Sequence, residues 1–205
     1  QAEAAYRTAL RLDPGFLPAR NNLAMLLSRH GRLKEAEQQY LSALETDPNY
    51  IPIRDNLTRL YYQQGRLAEA EREFRKILEK SPKLGDIWFS LGLLIAEDSS
   101  RMAEAAECLG HAAELMPGDA RVAYNAGLAL HKVGKLEEAE VLFARAYQLG
   151  NPSFDLLQAY ALLLVDLRRC EAARALADEM RARYPSPAAE ELYRAVTDRC
   201  RGRTP

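Results

Sequence analysis

Ala36, Ala70, Ala105, Ala139 and Ala173 recur every 34 residues, with one step of 35 between Ala70 and Ala105. The stretches around three of them are near copies: "GRLKEAEQQY" at 31–40, "GRLAEAEREF" at 65–74 and "GKLEEAEVLF" at 134–143. A large residue stands four positions after Ala2, Ala36, Ala70, Ala105 and Ala139, namely Tyr6, Tyr40, Phe74, Leu109 and Phe143, whereas Ala173 is followed by Ala177; Pro14, Pro48, Pro82, Pro117 and Pro185 close the units. A fixed period of this length means that one supersecondary unit is stacked on itself, each copy burying its apolar face against its neighbours. The 205 residues therefore count repeats rather than a single enclosed core.

Each unit reads as two helices. In "ARNNLAMLLSRH" and "LKEAEQQYLSALETDP", Leu23, Leu26 and Leu27, then Leu33, Ala36, Tyr40, Ala43 and Leu44, fall at helical spacing. Gly31, Gly65 and Gly134 suit the left-handed residue that ends the first helix, and the following proline stops the second. Small alanines let two backbones approach, and the aromatic one turn later fills the space beside them, so a bulky residue at Ala70 would overpack the seam.

With Leu57, Tyr61, Gly65, Ala70, Phe74 and Pro82 in order, the unit resembles a tetratricopeptide repeat. The resemblance runs from Ala2 to Pro185 and implies an all-α, right-handed superhelical solenoid of antiparallel helix pairs. It divides the chain into the second helix of a truncated repeat (1–16), repeats at 17–50, 51–84, 85–119 with a one-residue insertion and 120–153, a degenerate repeat at 154–187, a capping helix at 188–201 and a tail at 202–205. Some positions depart from the pattern. Trp88 is the one aromatic near the start of a first helix, where Arg20, Arg54, Ala123 and Leu157 stand in the other units. The turns "EDSSRM" and "DLRRC" lack glycine and are expected to be displaced from the regular form.

In this family the first helices line a concave, ligand-binding face. Fourteen residues before the repeated alanine stand Asn22, Asn56 and Asn125, with Ser90 at the insertion-corrected position of the fourth unit. This resembles the asparagine ladder of peptide-binding members, in which a side-chain amide donates to and accepts from the backbone of an extended peptide. The bland alternative is a row of solvated or locally bonded amides. Met25, Arg29, Arg59, Tyr62, Phe89, Leu93, Tyr124, Leu128, His131 and Lys132 are expected on the same face, beside Asp55, Gln158 and Leu162. Phe89, Leu93, Tyr124 and Leu128 would receive apolar anchors, and Arg29, Arg59 and Lys132 acidic side chains, although Phe89 and Tyr124 are equally open to an ordinary packing role.

Composition narrows the function further. The net charge of -1 supplies no global field for nucleic acid or an anionic membrane, and the longest apolar runs, "IWFSLGLLIA" and "LLQAYALLLV", are too short to span a bilayer. His30, His111 and His131 are scattered, and Cys108, Cys170 and Cys200 lack metal or dithiol spacing, so neither metal nor cofactor is expected. The acidic residues of "KEAEQQ", "AEAERE" and "LEEAE" have Lys or Arg one turn away and read as solvated helix faces. Nothing resembles a phosphate loop, a serine elbow or a catalytic carboxylate pair, and the chain is read as non-catalytic.

Two functions remain open: a scaffold that binds an extended peptide or partner segment in the concave groove, or an assembly module of a larger, exported bacterial protein that docks onto its own chain or onto other copies. The opening helix "QAEAAYRTALRLDP" is expected to leave Ala5, Tyr6 and Ala9 on an uncapped seam, covered by upstream sequence or by self-association. The resemblance also brings Cys170, at the start of the last second helix, and Cys200, at the end of the cap, to one edge of the solenoid. Either they form a disulfide, which implies a periplasmic or extracellular location, or they are thiols of a cytoplasmic protein. Cys108 is expected to be a buried packing thiol.

Overall fold

The computed structural model describes residues 1–48 and 50–201. Among these the chain forms twelve α-helices and no strand. The helices are α1 (Ala2–Leu12), α2 (Leu17–Arg29), α3 (Leu33–Thr46), α4 (Ile51–Gln63), α5 (Leu67–Lys80), α6 (Gly85–Ile95), α7 (Met102–Leu115), α8 (Ala120–Lys132), α9 (Leu136–Gln148), α10 (Phe154–Asp166), α11 (Cys170–Arg183) and α12 (Pro187–Cys200). It is an all-α helical repeat solenoid. Contacts gather the helices into two compact units, Gln1–Ile87 and the part from Trp88 onward. In the first unit each of α1 to α5 packs on the next, and α2 also touches α4; in the second the same holds from α7 to α12, with α8 and α12 both touching α10.

The seams are built as the alanine period requires. Ala36, Ala70, Ala105, Ala139 and Ala173 are all fully buried. In the second unit the facing helix is pared down as well: a methyl group added at Gly127 would lie 2.8 Å from two ring carbons of Phe143, and one at Gly92 would lie 2.7 Å from Leu109 Cγ. Backbone and ring thus touch directly, leaving no room for even a small side chain.

Gly31, Gly65 and Gly134 have φ of 75°, 70° and 81°, the left-handed conformation expected of them. Each closes its helix with the same two bonds. The glycine N–H donates three residues back, and the next N–H donates five back, as in Arg32 to the Leu27 carbonyl at 3.0 Å. The "DLRRC" turn is not displaced, contrary to the expectation for it. Arg168 takes the left-handed conformation itself (φ 61°) and keeps both bonds, its own N–H to Val165 and that of Arg169 to Leu164 at 2.8 Å. Packing on either side of the turn outweighs the roughly 1 kcal/mol that this conformation costs a residue with a Cβ. The "EDSSRM" turn does differ. Asp98 accepts from the backbone N–H and the hydroxyl of Ser100, and Ser99–Arg101 form a single 3₁₀ turn.

Arginine at the start of a first helix takes over an anchoring task. Arg54 donates to the Pro48 carbonyl (2.7 Å) and to Glu73 on α5, and Arg20 donates to the Pro14 carbonyl (2.7 Å) and, at 3.4 Å, to Gln39 on α3. A second set of arginines ties successive second helices together across 29 residues: Arg32 to Glu3 at 2.8 Å, Arg66 to Glu37 at 2.7 Å, and Arg169 to Glu140. Arg32 and Arg66 also bond Glu35 and Glu69 on their own helices, holding those carboxyls below the usual range.

At the far end α12 packs Ala189, Leu192, Val196 and Cys200 onto Leu157, Ala161, Leu164 and Val165. Cys170 and Cys200 are disulfide-bonded with Cα atoms 5.7 Å apart, and Cys108 is a buried thiol. The bridge closes a loop of 30 residues. In the chain-entropy account such a loop stabilises the cap by about 2–4 kcal/mol.

Two measurements test this account. By chemical denaturation, Gly127→Ala is expected to lose about 1–3 kcal/mol through overpacking against Phe143, whereas Arg168→Gly is expected to gain up to about 1 kcal/mol through release of left-handed strain. Alkylation of denatured, unreduced protein is expected to place one label, on Cys108; three labels would contradict the bridge.

Candidate functional site

In the first unit, α2 and α4 lie side by side and offer the face on which the asparagines were sought. Asn22, Met25 and Arg29 are three and four residues apart and share one side of α2, with Met25 half-buried and the other two exposed. On α4, Asn56 is half-buried, Tyr62 is 50% exposed, and Arg59 is exposed and paired with Asp55 at 3.1 Å. The amide that meets Asn56 is Asn21, not Asn22. Asn56 Nδ2 donates to Asn21 Oδ1 at 2.9 Å, and Asn21 Nδ2 lies 3.7 Å from Met25 Sδ. The two asparagines are 35 residues apart. A neighbouring first helix is thus offset by one residue from the repeat length.

The second unit has the same offset. His131 Nε2 on α8 lies 2.8 Å from Asp166 Oδ2 on α10, again 35 residues away. On the first helices of this unit Leu93 is 39% exposed, Lys132 is exposed, and Ser90, Leu128, Gln158 and Leu162 are half-buried. Asn125 bonds its own helix, Nδ2 donating to the Arg121 carbonyl at 2.8 Å. Tyr124 packs its ring 6.1 Å from that of Phe143, and burial, followed by the charge of Asp155, raises its hydroxyl above the ordinary tyrosine range. Phe89 is buried in the core, with the Arg121 guanidinium 4.8 Å above its ring, and so offers no open apolar anchor. Of the apolar residues expected on this face, Leu93 is exposed and Leu128, Leu162 and Tyr124 are half-buried.

Three features escaped sequence reasoning, and each had a signal. Asp166 follows His131 by 35 residues, as Asn56 follows Asn21. Arg32 and Arg66, like Glu3 and Glu37, are 34 apart, which marks the ties between second helices. Arg20 and Arg54 repeat as a pair in the same way. Among the described residues no helix is long and apolar enough to cross a membrane, and no three His, Cys, Asp or Glu side chains gather into a metal site.

This geometry predicts a measurable coupling. A double-mutant cycle with Asn21→Ala and Asn56→Ala is expected to give about 0.5–1.5 kcal/mol between the two amides. Additive losses would mean that the bond contributes nothing in solution.

Models of the tetratricopeptide repeat match residues 1–51, 56–109 and 94–154. No curated protein matches the chain in sequence. Among solved structures, the fold is similar to YrrB, a TPR protein with an unusual peptide-binding site: TM-score 0.79 and 23% identity over 94% of this chain and 98% of that one. It is also similar to PilF of Pseudomonas aeruginosa, with TM-score 0.71 and 21% identity over 93% and 86% of the two chains. A third similar structure is MamA of AMB-1, with TM-score 0.69 and 19% identity over 81% and 90%.

Proposed function

Because the chain belongs to the tetratricopeptide repeat family, whose fold is generally a protein–protein interaction scaffold, we propose that its first-helix faces bind extended peptide segments of partner proteins. The observation that carries this reading is the open amide pair of Asn21 and Asn56, half-buried between exposed Asn22, Arg29, Arg59 and Tyr62. An amide already held in place by a neighbour has lost little further freedom when it bonds a peptide backbone, and the adjacent aromatic offers apolar area at small entropic cost. In the second unit Leu93, Leu128 and Tyr124 would take apolar side chains, with Lys132 placed for acidic ones, and Asn125 keeps its carbonyl oxygen for a backbone N–H.

The peptide-binding site named for YrrB supports the same reading by analogy of fold. Repeats at 17–50, 51–84, 85–119, 120–153 and 154–187 are part of the proposal, as is the absence of a catalytic role. The Cys170–Cys200 bridge supports a working place outside a reducing cytosol.

The test is a peptide selected from a random display library against the whole chain, its affinity then measured by fluorescence anisotropy. Asn21→Ala combined with Asn56→Ala is expected to weaken binding of a peptide on the first unit by about 1–3 kcal/mol with unchanged circular dichroism. Unchanged affinity in the folded double variant would overturn the role of the amides.

A further inference from the structure

The first unit places two arginines in equivalent positions and compensates only one of them. Arg54 and Glu73 form an ion pair whose side chains are 14% and 12% exposed. One repeat length earlier, Arg20 has kept its bond to the proline carbonyl, but the position of Glu73 is taken by Gln39, a neutral amide at 3.4 Å. Arg20 Nε is buried and has no hydrogen-bond partner. In the sister position Nε donates to the proline carbonyl and Nη1 to the Glu73 carboxylate, whereas Arg20 bonds its proline carbonyl through Nη2 and has only the neutral Gln39 oxygen, at 3.4 Å, on Nη1. A guanidinium whose donors are this poorly met lacks the anion that Arg54 has.

The uncompensated arginine faces a groove of about 880 Å³ between α1, α2 and α3. Its walls carry Arg7, Thr8, Arg11, Arg20 and Gln39, with Glu3 the one carboxylate. Glu3 is shared by Arg7 at 2.7 Å and Arg32 at 2.8 Å, while Arg11 is held by the Thr8 hydroxyl at 2.9 Å. Three guanidinium groups therefore line the groove, while the two carboxylates near Arg7, Glu3 and Glu35 (4.0 Å), are both engaged by Arg32. The surface is distinct from the peptide face proposed above. Arg20 and Asn22 are two residues apart on α2, which turns them about 200° from one another around the helix axis.

We propose that this groove is a second binding site, which takes a carboxylate-rich peptide segment of a partner protein. One ligand carboxylate meets Arg20 beside Gln39, and others meet Arg7 and Arg11. The sister position identifies the chemistry as a carboxylate. A chain of net charge -1 has no wider field to draw a polyanion such as nucleic acid.

The experiment uses a fluorescein-labelled oligoglutamate peptide and the whole chain, with anisotropy read at about 50 mM salt so that screening stays weak. Gln39→Glu supplies the missing carboxylate from within and is expected to weaken binding about tenfold, and Arg11→Gln about threefold, both with unchanged circular dichroism. Arg194→Gln, an exposed cation on α12, is expected to leave the affinity as it was. No binding by the parent, full affinity in Gln39→Glu, or an equal loss in Arg194→Gln would overturn the site. Tighter binding of a single-stranded RNA than of oligoglutamate would overturn the choice of a peptide. A peptide selected for the Asn21 and Asn56 face is expected to bind Gln39→Glu like the parent, so failure of either proposal leaves the other standing.

Discussion

The contact on which everything else rests is the bare seam between paired helices, where a buried alanine, or a glycine set directly against a side chain of the facing helix, is all that one helix offers the other. Ala36, Ala70, Ala105, Ala139 and Ala173 have no exposed surface, and Gly92 and Gly127 lie against Leu109 and Phe143 without room for a methyl. Packing this close is short-ranged, so it fixes the rotation of each helix about its axis. That rotation decides which residues of a first helix are left over for solvent. Once the alanine side of α2 is set against α3, Asn22, Met25 and Arg29 have nowhere to point but outward, and on α4 the same follows for Arg59 and Tyr62. The surface proposed for binding is what remains after the seam has taken the rest.

Much of this could be read from the residues. The alanine period, the glycines at positive φ and the proline stops are local signals that act the same way in every copy, and helices, turns and seams follow from them. Features that depend on the relation between copies were harder to see. Counting by 34 aligns Asn56 with Asn22, yet the side chains meet with an offset of one residue, so the partner is Asn21. The aromatic at 89 fits an exposed position on a helical projection, but Arg121 from α8 covers its ring and it joins the core. A turn without glycine reads as irregular; at Arg168 the flanking packing imposes the left-handed conformation regardless. In each case a neighbour distant in sequence overrides the local preference.

The same comparison between copies is what points to the second site proposed above. Equivalent positions share a role, and a difference in one copy leaves a group without the charged partner that its sister has. Gln39 in place of a glutamate does this to Arg20, whereas Arg54 stays neutralised by Glu73. Ties between second helices, such as Arg66 with Glu37, are repeated unchanged and read as structure. Departures from the repeat mark candidate sites more sharply than the repeat itself does.

The central claim is that the seam leaves the first-helix faces as the surface for peptide partners. Amide hydrogen exchange with and without a selected peptide tests it most directly. The account predicts that protection on binding gathers on first helices, around residues 21–29 of α2 and 55–62 of α4 or around 90–93 of α6 and 124–132 of α8. Protection confined to the second helices α3, α5, α9 and α11, with the first helices unchanged, would contradict it.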